Sequence, residues 1–399
     1  MNSIILFVYF ATALAILVPG PSGPYSVALK TLPLTDPSRI DPYASPETQR
    51  RILLSAFLPV PDLEARKICD KKTLPYMSPA VAKAYGKQAA EAGLPNTTFQ
   101  MFDLEFCKLK KQCKTTEHNR HSFPLIPFSP GLGISRELFG ARARSLASHG
   151  YAVVTIDHPY DAIVVEFPDG TTIPGADIDD SNTTQVEAAL NVSGLLPISI
   201  LHLLMRSKVR RQDISFALSE LQTPKTRHLL TNYPHSIDFA KVAATGHSLG
   251  GATAAAAAAA DPRILGGLNM DGEIFNPVLA NGLSKPFVQV GGPGHQDQDE
   301  SWDEFWRHLR GPAMELALAG TMHGSFPDTL TLLSALNLPE PVREALRQEY
   351  GEIDPMDMDT DLNGILTAFL EFLFTADGTA LADFHENFPD VTVVRSKLV

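Results

Sequence analysis

Ser248 stands in Gly246-His-Ser-Leu-Gly250, between an apolar run, Val242 to Ala244, and an alanine-rich run that ends at Ala260. The pattern reads as strand, sharp turn and helix, with the serine at the apex. A serine held there in a strained backbone conformation presents its hydroxyl over the end of a sheet. Glycine is required at 246 and 250, where a side chain would collide as strand and helix close on each other. Serine is a weak nucleophile at neutral pH. It needs a base to take its proton, and the base needs a partner to hold its tautomer. The chemistry to look for is acyl transfer through a serine.

Candidates for both roles follow at strand ends, in the order Ser, Asp, His. His323, in Gly320-Thr-Met-His-Gly-Ser-Phe326, follows the last predicted strand and is the favoured base. His295, His158 and His247 compete: His247 is expected to point away from the serine's face, and His158 to line the pocket. For the acid, Asp271 ends the strand after the serine's helix, while Asp297 lies in the polar run Gln296 to Glu300. Asp271 is favoured, because a carboxylate pressed between an apolar strand and Gly272 is costly without a partner. A developing oxyanion needs two backbone N–H donors. Leu249, next to the serine, supplies one, and Leu132, in the turn Pro130-Gly-Leu-Gly133, the other.

The elements that must carry these residues alternate regularly from Ser122 onward. Strands are expected at Phe123 to Ser129, Tyr151 to Asp157, Ile264 to Met270, Pro286 to Val290 and Ala313 to Ala319. Helices are expected from Ser135 to Ser148, Leu195 to Leu221 (with a basic patch at Lys208 to Arg211), Ser301 to Leu309, and a closing one at Gly364 to Phe374. Alternation of this kind predicts an α/β fold with a mostly parallel central sheet, helices on both faces, and a site beyond the carboxyl ends of the strands. Before Ser122, strands at Tyr25 to Leu32 and Arg51 to Val60 flank a loop at Asp36 to Thr48. An irregular insertion then spans about 62–120, with one helix at Pro79 to Glu91.

Hydrophobic residues make up 44% of the 399 and charged residues 20%, enough for a sizeable core. The formal net charge of −12, without a basic block, argues against nucleic-acid binding. Ile4 to Val18 is an uncharged apolar run, too short for a comfortable membrane span. It reads as the core of a signal peptide over residues 1–22, with an uncleaved anchor as the alternative and a single domain from 23 to 399. Sequons at Asn96, Asn182 and Asn191 agree with secretion. Of Cys69, Cys107 and Cys113, two are expected to pair in an oxidising compartment. Their spacing does not suit zinc, and no cofactor is called for.

Phe128-Ser-Pro-Gly-Leu-Gly133, Gly246-His-Ser-Leu-Gly-Gly251, Leu268-Asn-Met-Asp271-Gly and Gly320-Thr-Met-His323 together resemble the plasma-type and fungal platelet-activating-factor acetylhydrolases, a branch of the α/β-hydrolases. Gly23-Pro-Tyr-Ser and Thr35-Asp-Pro resemble that family's N-terminal strand. The resemblance implies a Ser248–Asp271–His323 triad, with Leu132 and Leu249 as oxyanion donors. It also implies calcium-independent hydrolysis of short or oxidised sn-2 acyl chains of phospholipids, with contact to a lipid surface. Leu195 to Met205 and Trp302 to Trp306 are the candidate docking stretches. The sequence departs from the family pattern at Pro130, where a histidine is familiar. The segments Asp157 to Asp161 and Val165 to Gly170 look more like fungal and bacterial relatives than animal enzymes. Broader-specificity lipase or polyester hydrolase activity is the alternative, followed by a non-catalytic binding protein of the same fold.

Overall fold

The computed structural model describes residues 15–110, 121–175, 198–230, 233–336, 338–382 and 388–398. Ile16–Leu17 (β1) precedes two long antiparallel strands, Tyr25–Ile40 (β2) and Gln49–Pro61 (β3). Cys69–Pro75 (β4) and Phe102–Leu109 (β5) bracket the helix Pro79–Glu91. Ser122–Ser129 (β6) and Ala152–Asp157 (β7) follow, then a small hairpin, Val164–Glu166 (β8) with Thr172–Pro174 (β9). Ser236–His247 (β10), Ile264–Met270 (β11), Phe287–Gly291 (β12), Ala313–Leu318 (β13) and Val391–Lys397 (β14) come last.

The central sheet runs β14-β13-β12-β11-β10-β6-β7-β3-β2. Every pairing among β6, β7 and β10 to β13 is parallel, and β2, β3 and β14 join antiparallel at the edges. This is the mostly parallel α/β-hydrolase sheet. Successive side chains on a strand face opposite ways, so the parallel strands feed two cores. Ala243, Leu268, Val288 and Leu316 pack on one face with Ala143 and Leu146 of helix Gly140–Ser148 and Phe369 of helix Pro355–Thr375. Val242, Ala244 and Ile264 pack on the other with Ile214 of helix Ile198–Glu220, Ala254 of helix Leu249–Ala260, and Trp302 of helix Glu300–His308. Burial on both faces is why these strands read as continuous apolar runs.

Four expectations are revised. The stretch at about 62–120 is more regular than expected: β1, β5 and β4 form a separate three-stranded sheet. A Cys69–Cys107 disulfide staples β4 to β5, while Cys113 lies outside the described residues. β2 runs on to Ile40 through residues expected to be loop. It tolerates Pro33 and Pro37 because it is an edge strand with one free row of backbone groups. The closing helix begins earlier, at Pro355, capped by the Asp354 carboxylate, and it does not close the chain, because β14 follows. Trp302 is 1% exposed and belongs to the core, so the Trp302 to Trp306 stretch is not an open apolar face.

Of the expected leader, Ile16 and Leu17 pair with β5, and Val18 is buried in the main core. Asn96 is exposed, and Asn182 and Asn191 lie outside the described residues. Among the described residues, no helix is long and apolar enough to cross a membrane.

Candidate active site

β10 ends at His247, and the helix Leu249–Ala260 starts one residue after Ser248. Ser248 takes φ 56° and ψ −128°, a region that non-glycine residues rarely enter. The glycines make room for the turn. A Cβ on Gly246 would run into the Gly250 carbonyl, and one on Gly250 into the carbonyls of Ser129 and Pro130. One on Gly131 would sit 3.2 Å from Ser248 Cβ. The serine is thus wedged against the turn after β6, and its helix points its N-terminal N–H groups at the same spot.

Asp271 follows β11, also at positive φ (55°). Its N–H donates to the Val290 carbonyl (2.8 Å). The turn beyond it is locked by Asn269, which accepts from Gly272 N–H (3.0 Å) and donates to Gly272 O (2.6 Å), and by Trp302 Nε1–H, which also donates to Gly272 O (2.8 Å). His323 follows the turn after β13. The backbone there is tied by Met322 N–H donating to Ser325 Oγ (2.9 Å) and by the Ser325 hydroxyl donating to the Tyr350 carbonyl.

These strand ends bring Ser248, His323 and Asp271 into one line. His323 Nδ1 lies 2.6 Å from Asp271 Oδ2, and its Nε2 lies 3.1 Å from Ser248 Oγ. An ionised carboxylate only accepts, so Nδ1 carries the proton and Nε2 is free to receive one from the serine. The His323 side chain is 58% exposed, and Asp271 beneath it is 6% exposed. Asp297, the rival acid, sits on an exposed short turn, His295 to Asp297, and makes no bond to His323 among the described residues.

The other histidines have different work. His247 Nε2 lies 3.1 Å from the His323 carbonyl oxygen, which can only accept, so Nε2 donates. Burial pushes the His247 pKa down to about 3, which keeps the ring neutral. Its ring lies against that of His323, with centroids 4.7 Å apart, and it braces the backbone under His323. His295 takes the second oxygen of Asp271: Nδ1 lies 2.8 Å from Oδ1, and Nε2 lies 3.3 Å from Asp299 Oδ2. Burial alone would lower its pKa, but the two carboxylates outweigh that and raise it to about 9. Burial also acts against ionised Asp271, yet the His295 and His323 bonds hold its carboxyl well below the usual carboxylate range. The sequence offered one signal for His295, its position four residues before Asp299.

His158 does not line the pocket. It is 2% exposed, behind the turn after β6, with Nδ1 2.8 Å from Asp213 Oδ2 and Nε2 3.0 Å from Ser129 Oγ. Desolvation pushes its pKa down to about 4. The basic patch at Lys208 to Arg211 is likewise partly internal, since Arg210 is 1% exposed.

A cavity of about 640 Å³ opens over Ser248, lined by Leu132, Leu203, Leu249, Phe275 and His323 among others. Leu132 stands exposed on its lining (44%), and Met322, the residue before His323, is 47% exposed. Leu132 follows Gly131 in the turn against Ser248, and its N–H makes no hydrogen bond among the described residues. Leu249, first residue of its helix, has no partner for its N–H within that helix.

The family model described as platelet-activating factor acetylhydrolase, isoform II, matches residues 91–167. A probable 1-alkyl-2-acetylglycerophosphocholine esterase of Arthroderma benhamiae is 29% identical over 342 residues, covering 82% of this chain and 80% of that one. A platelet-activating factor acetylhydrolase of Bos taurus is 29% identical over 161 residues, 38% of this chain and 36% of its own. Among solved structures, a ferulic acid esterase from Streptomyces cinnamoneus superposes with a TM-score of 0.70 at 25% identity, over 95% of this chain and 99% of that one. On these matches, the chain has the α/β-hydrolase fold and is similar to the platelet-activating-factor acetylhydrolase branch of that superfamily.

Proposed function

We propose that this esterase of the platelet-activating-factor acetylhydrolase type works through an acyl-enzyme on Ser248. The carrying observation is the Ser248–His323–Asp271 line, at 3.1 and 2.6 Å, opening onto the cavity. Ser248 Oγ attacks the ester carbonyl while His323 Nε2 takes its proton. Asp271 holds the ring and offsets its positive charge. The N–H groups of Leu132 and Leu249 receive the negative carbonyl oxygen. Collapse breaks the ester C–O bond, and the alcohol leaves with the proton from His323. Water, deprotonated by the same nitrogen, then frees the acid and restores the serine.

The favoured substrates are phospholipids with short sn-2 acyl chains. The name of the Arthroderma relative supports this, and the exposed Leu132 and Met322, next to the site residues, suit contact with a lipid surface. Secretion is part of the same reading, and the Cys69–Cys107 disulfide fits an oxidising compartment. A second reading, a broader esterase that accepts bulkier esters, draws on the likeness to the ferulic acid esterase.

Ser248→Ala is expected to abolish p-nitrophenyl acetate hydrolysis while leaving the circular dichroism spectrum unchanged. Retained hydrolysis would sink the mechanism. An acyl-length series on phosphatidylcholines and simple esters separates the two substrate readings: a steep preference for acetyl favours the first, and equal rates on long or aromatic acids the second.

A further inference from the structure

Helix Ile198–Glu220 sends Arg210 into the body of the fold, under the turn that follows β6. Its guanidinium is buried and points at backbone. Nη1 donates to the Pro130 carbonyl at 2.6 Å, and Nη2 to the Gly131 carbonyl at 3.2 Å. Nε is paired with Asp161, which also pairs with Arg206. Nη1 lies 3.5 Å from Ser129 Oγ as well. One planar cation therefore grips two successive carbonyls of the turn that abuts Ser248. A guanidinium suits this, because its donors are fixed in a fork and it stays charged.

The second carbonyl matters most. Gly131 C=O belongs to the peptide unit whose N–H is that of Leu132. In a trans peptide the two point in opposite directions. Fixing the oxygen on Arg210 turns the Leu132 N–H the other way, toward Ser248. Released from Arg210, the oxygen keeps only the bond from Ile134 N–H (3.3 Å), and Gly131 has no side chain to resist rotation of the unit. The rest of the turn is tied independently: Gly133 N–H donates to the Asp161 carbonyl (2.9 Å) and Ile163 N–H to the Gly133 carbonyl (3.1 Å).

We propose that Arg210 is a positioning residue, which sets the Gly131–Leu132 peptide so that the Leu132 N–H faces the oxyanion. The proposal rests on the acyl-enzyme reading above. It assigns Arg210 a specific energetic signature. Substrate binding does not need the oxyanion donor, whereas the tetrahedral species does.

The test compares Arg210→Met and Arg210→Lys with Arg50→Met. Arg50 is equally buried in the adjoining network, bonded to Asp41, Asp213 and the Pro159 carbonyl, and its bonds do not include the carbonyls of 130 and 131. For each folded variant, kcat and KM for p-nitrophenyl acetate are measured together with Ki for a trifluoromethyl ketone, whose serine adduct carries an oxyanion. Arg210→Met is expected to lose about 10- to 100-fold in kcat, a fraction of what removing a donor outright costs. KM should stay within about twofold and Ki should rise in parallel with the loss in kcat. Arg210→Lys, which can reach one carbonyl, should fall between. Arg50→Met should lose thermal stability and keep kcat per folded molecule.

A folded Arg210→Met with kcat within twofold of wild type overturns the proposal. So does an equal loss of kcat in Arg50→Met. If the methionine variants do not fold, Arg210→Lys decides: unchanged kcat and Ki overturn it. Failure of the underlying reading looks different, since wild type and Ser248→Ala would then hydrolyse the ester equally.

Discussion

Ser248, His323 and Asp271 have a buried double. Ser129, His158 and Asp213 are linked by the same atoms in the same order, at 3.0 and 2.8 Å, against 3.1 and 2.6 Å for the first set. In each set the serine lies at the end of a parallel strand. Hydrogen-bond geometry does not distinguish them, so the difference must come from their surroundings. His323 is 58% exposed at the cavity, whereas His158 is 2% exposed and Asp213 is at 0%. Ser248 sits at positive φ ahead of a helix N-terminus, whereas Ser129 is the last residue of a regular strand. Asp271 spends its charge on two imidazoles. Asp213 faces Arg50 and Arg39 as well as His158, and these guanidinium bonds help keep it well below the usual carboxylate range against its burial. The first array can meet a substrate and stabilise an oxyanion. The second is a structural strut beneath the turn that carries Leu132.

The widest gap between the two should appear in covalent labelling. A fluorophosphonate probe is expected to label wild type at Ser248, and Ser248→Ala not at all, although Ser129 is intact. Label on Ser129 would break the comparison. The next gap concerns the acids. Asp271→Asn should cut kcat per folded molecule by about 10³- to 10⁴-fold, because the base loses the tautomer it needs, and should also lose the stability that its charge shares with His295. Asp213→Asn should cost stability alone. It leaves Arg50 and Arg39 facing a neutral group, a loss of about 3–5 kcal/mol in urea unfolding for a broken buried pair. Activity per folded molecule should be retained. Asp297→Asn, on its exposed turn, should change neither. If Asp297→Asn loses far more activity than Asp271→Asn, the acid is wrongly placed.

Much of the first array was legible in the sequence, and none of the second. Ser248, Asp271 and His323 each come after an apolar strand and lie within two residues of a glycine, a local signal. Asp213 lies mid-helix near Arg210 and Arg211, where the sequence suggests only a charged helix face. Its inward direction depends on how the helix Ile198–Glu220 packs against the helix Leu249–Ala260 and β2. β14 was missed although Val391-Thr-Val-Val394 is β-branched, because the helix before it looked like the end of the domain. The second half of β2 was missed because proline usually marks loops and an edge position is not visible from the sequence. The Cys69–Cys107 pair was undecided for the same reason: only the pairing of β4 with β5 brings those two together.

His295 sharpens the comparison by the smallest amount, because it gives the active array a cation where the buried one has guanidinium groups. Its pKa is raised from 6.5 to about 9 by Asp271 and Asp299, against the pull of burial. A group protonated more readily in the folded state stabilises that state fully below its unfolded pKa. The contribution fades as pH rises through the folded value. Wild type should therefore exceed His295→Gln in urea-unfolding stability by on the order of 2–3 kcal/mol near pH 6. The gap should shrink between pH 6.5 and 9 and level off above that. Trp302, tilted at 39° to the imidazole with ring centroids 4.0 Å apart, adds a packing contribution that does not titrate. A gap that stays constant from pH 6 to pH 10 would mean that His295 only fills space beside Asp271, whose carboxylate then rests on His323 and the Gly292 N–H.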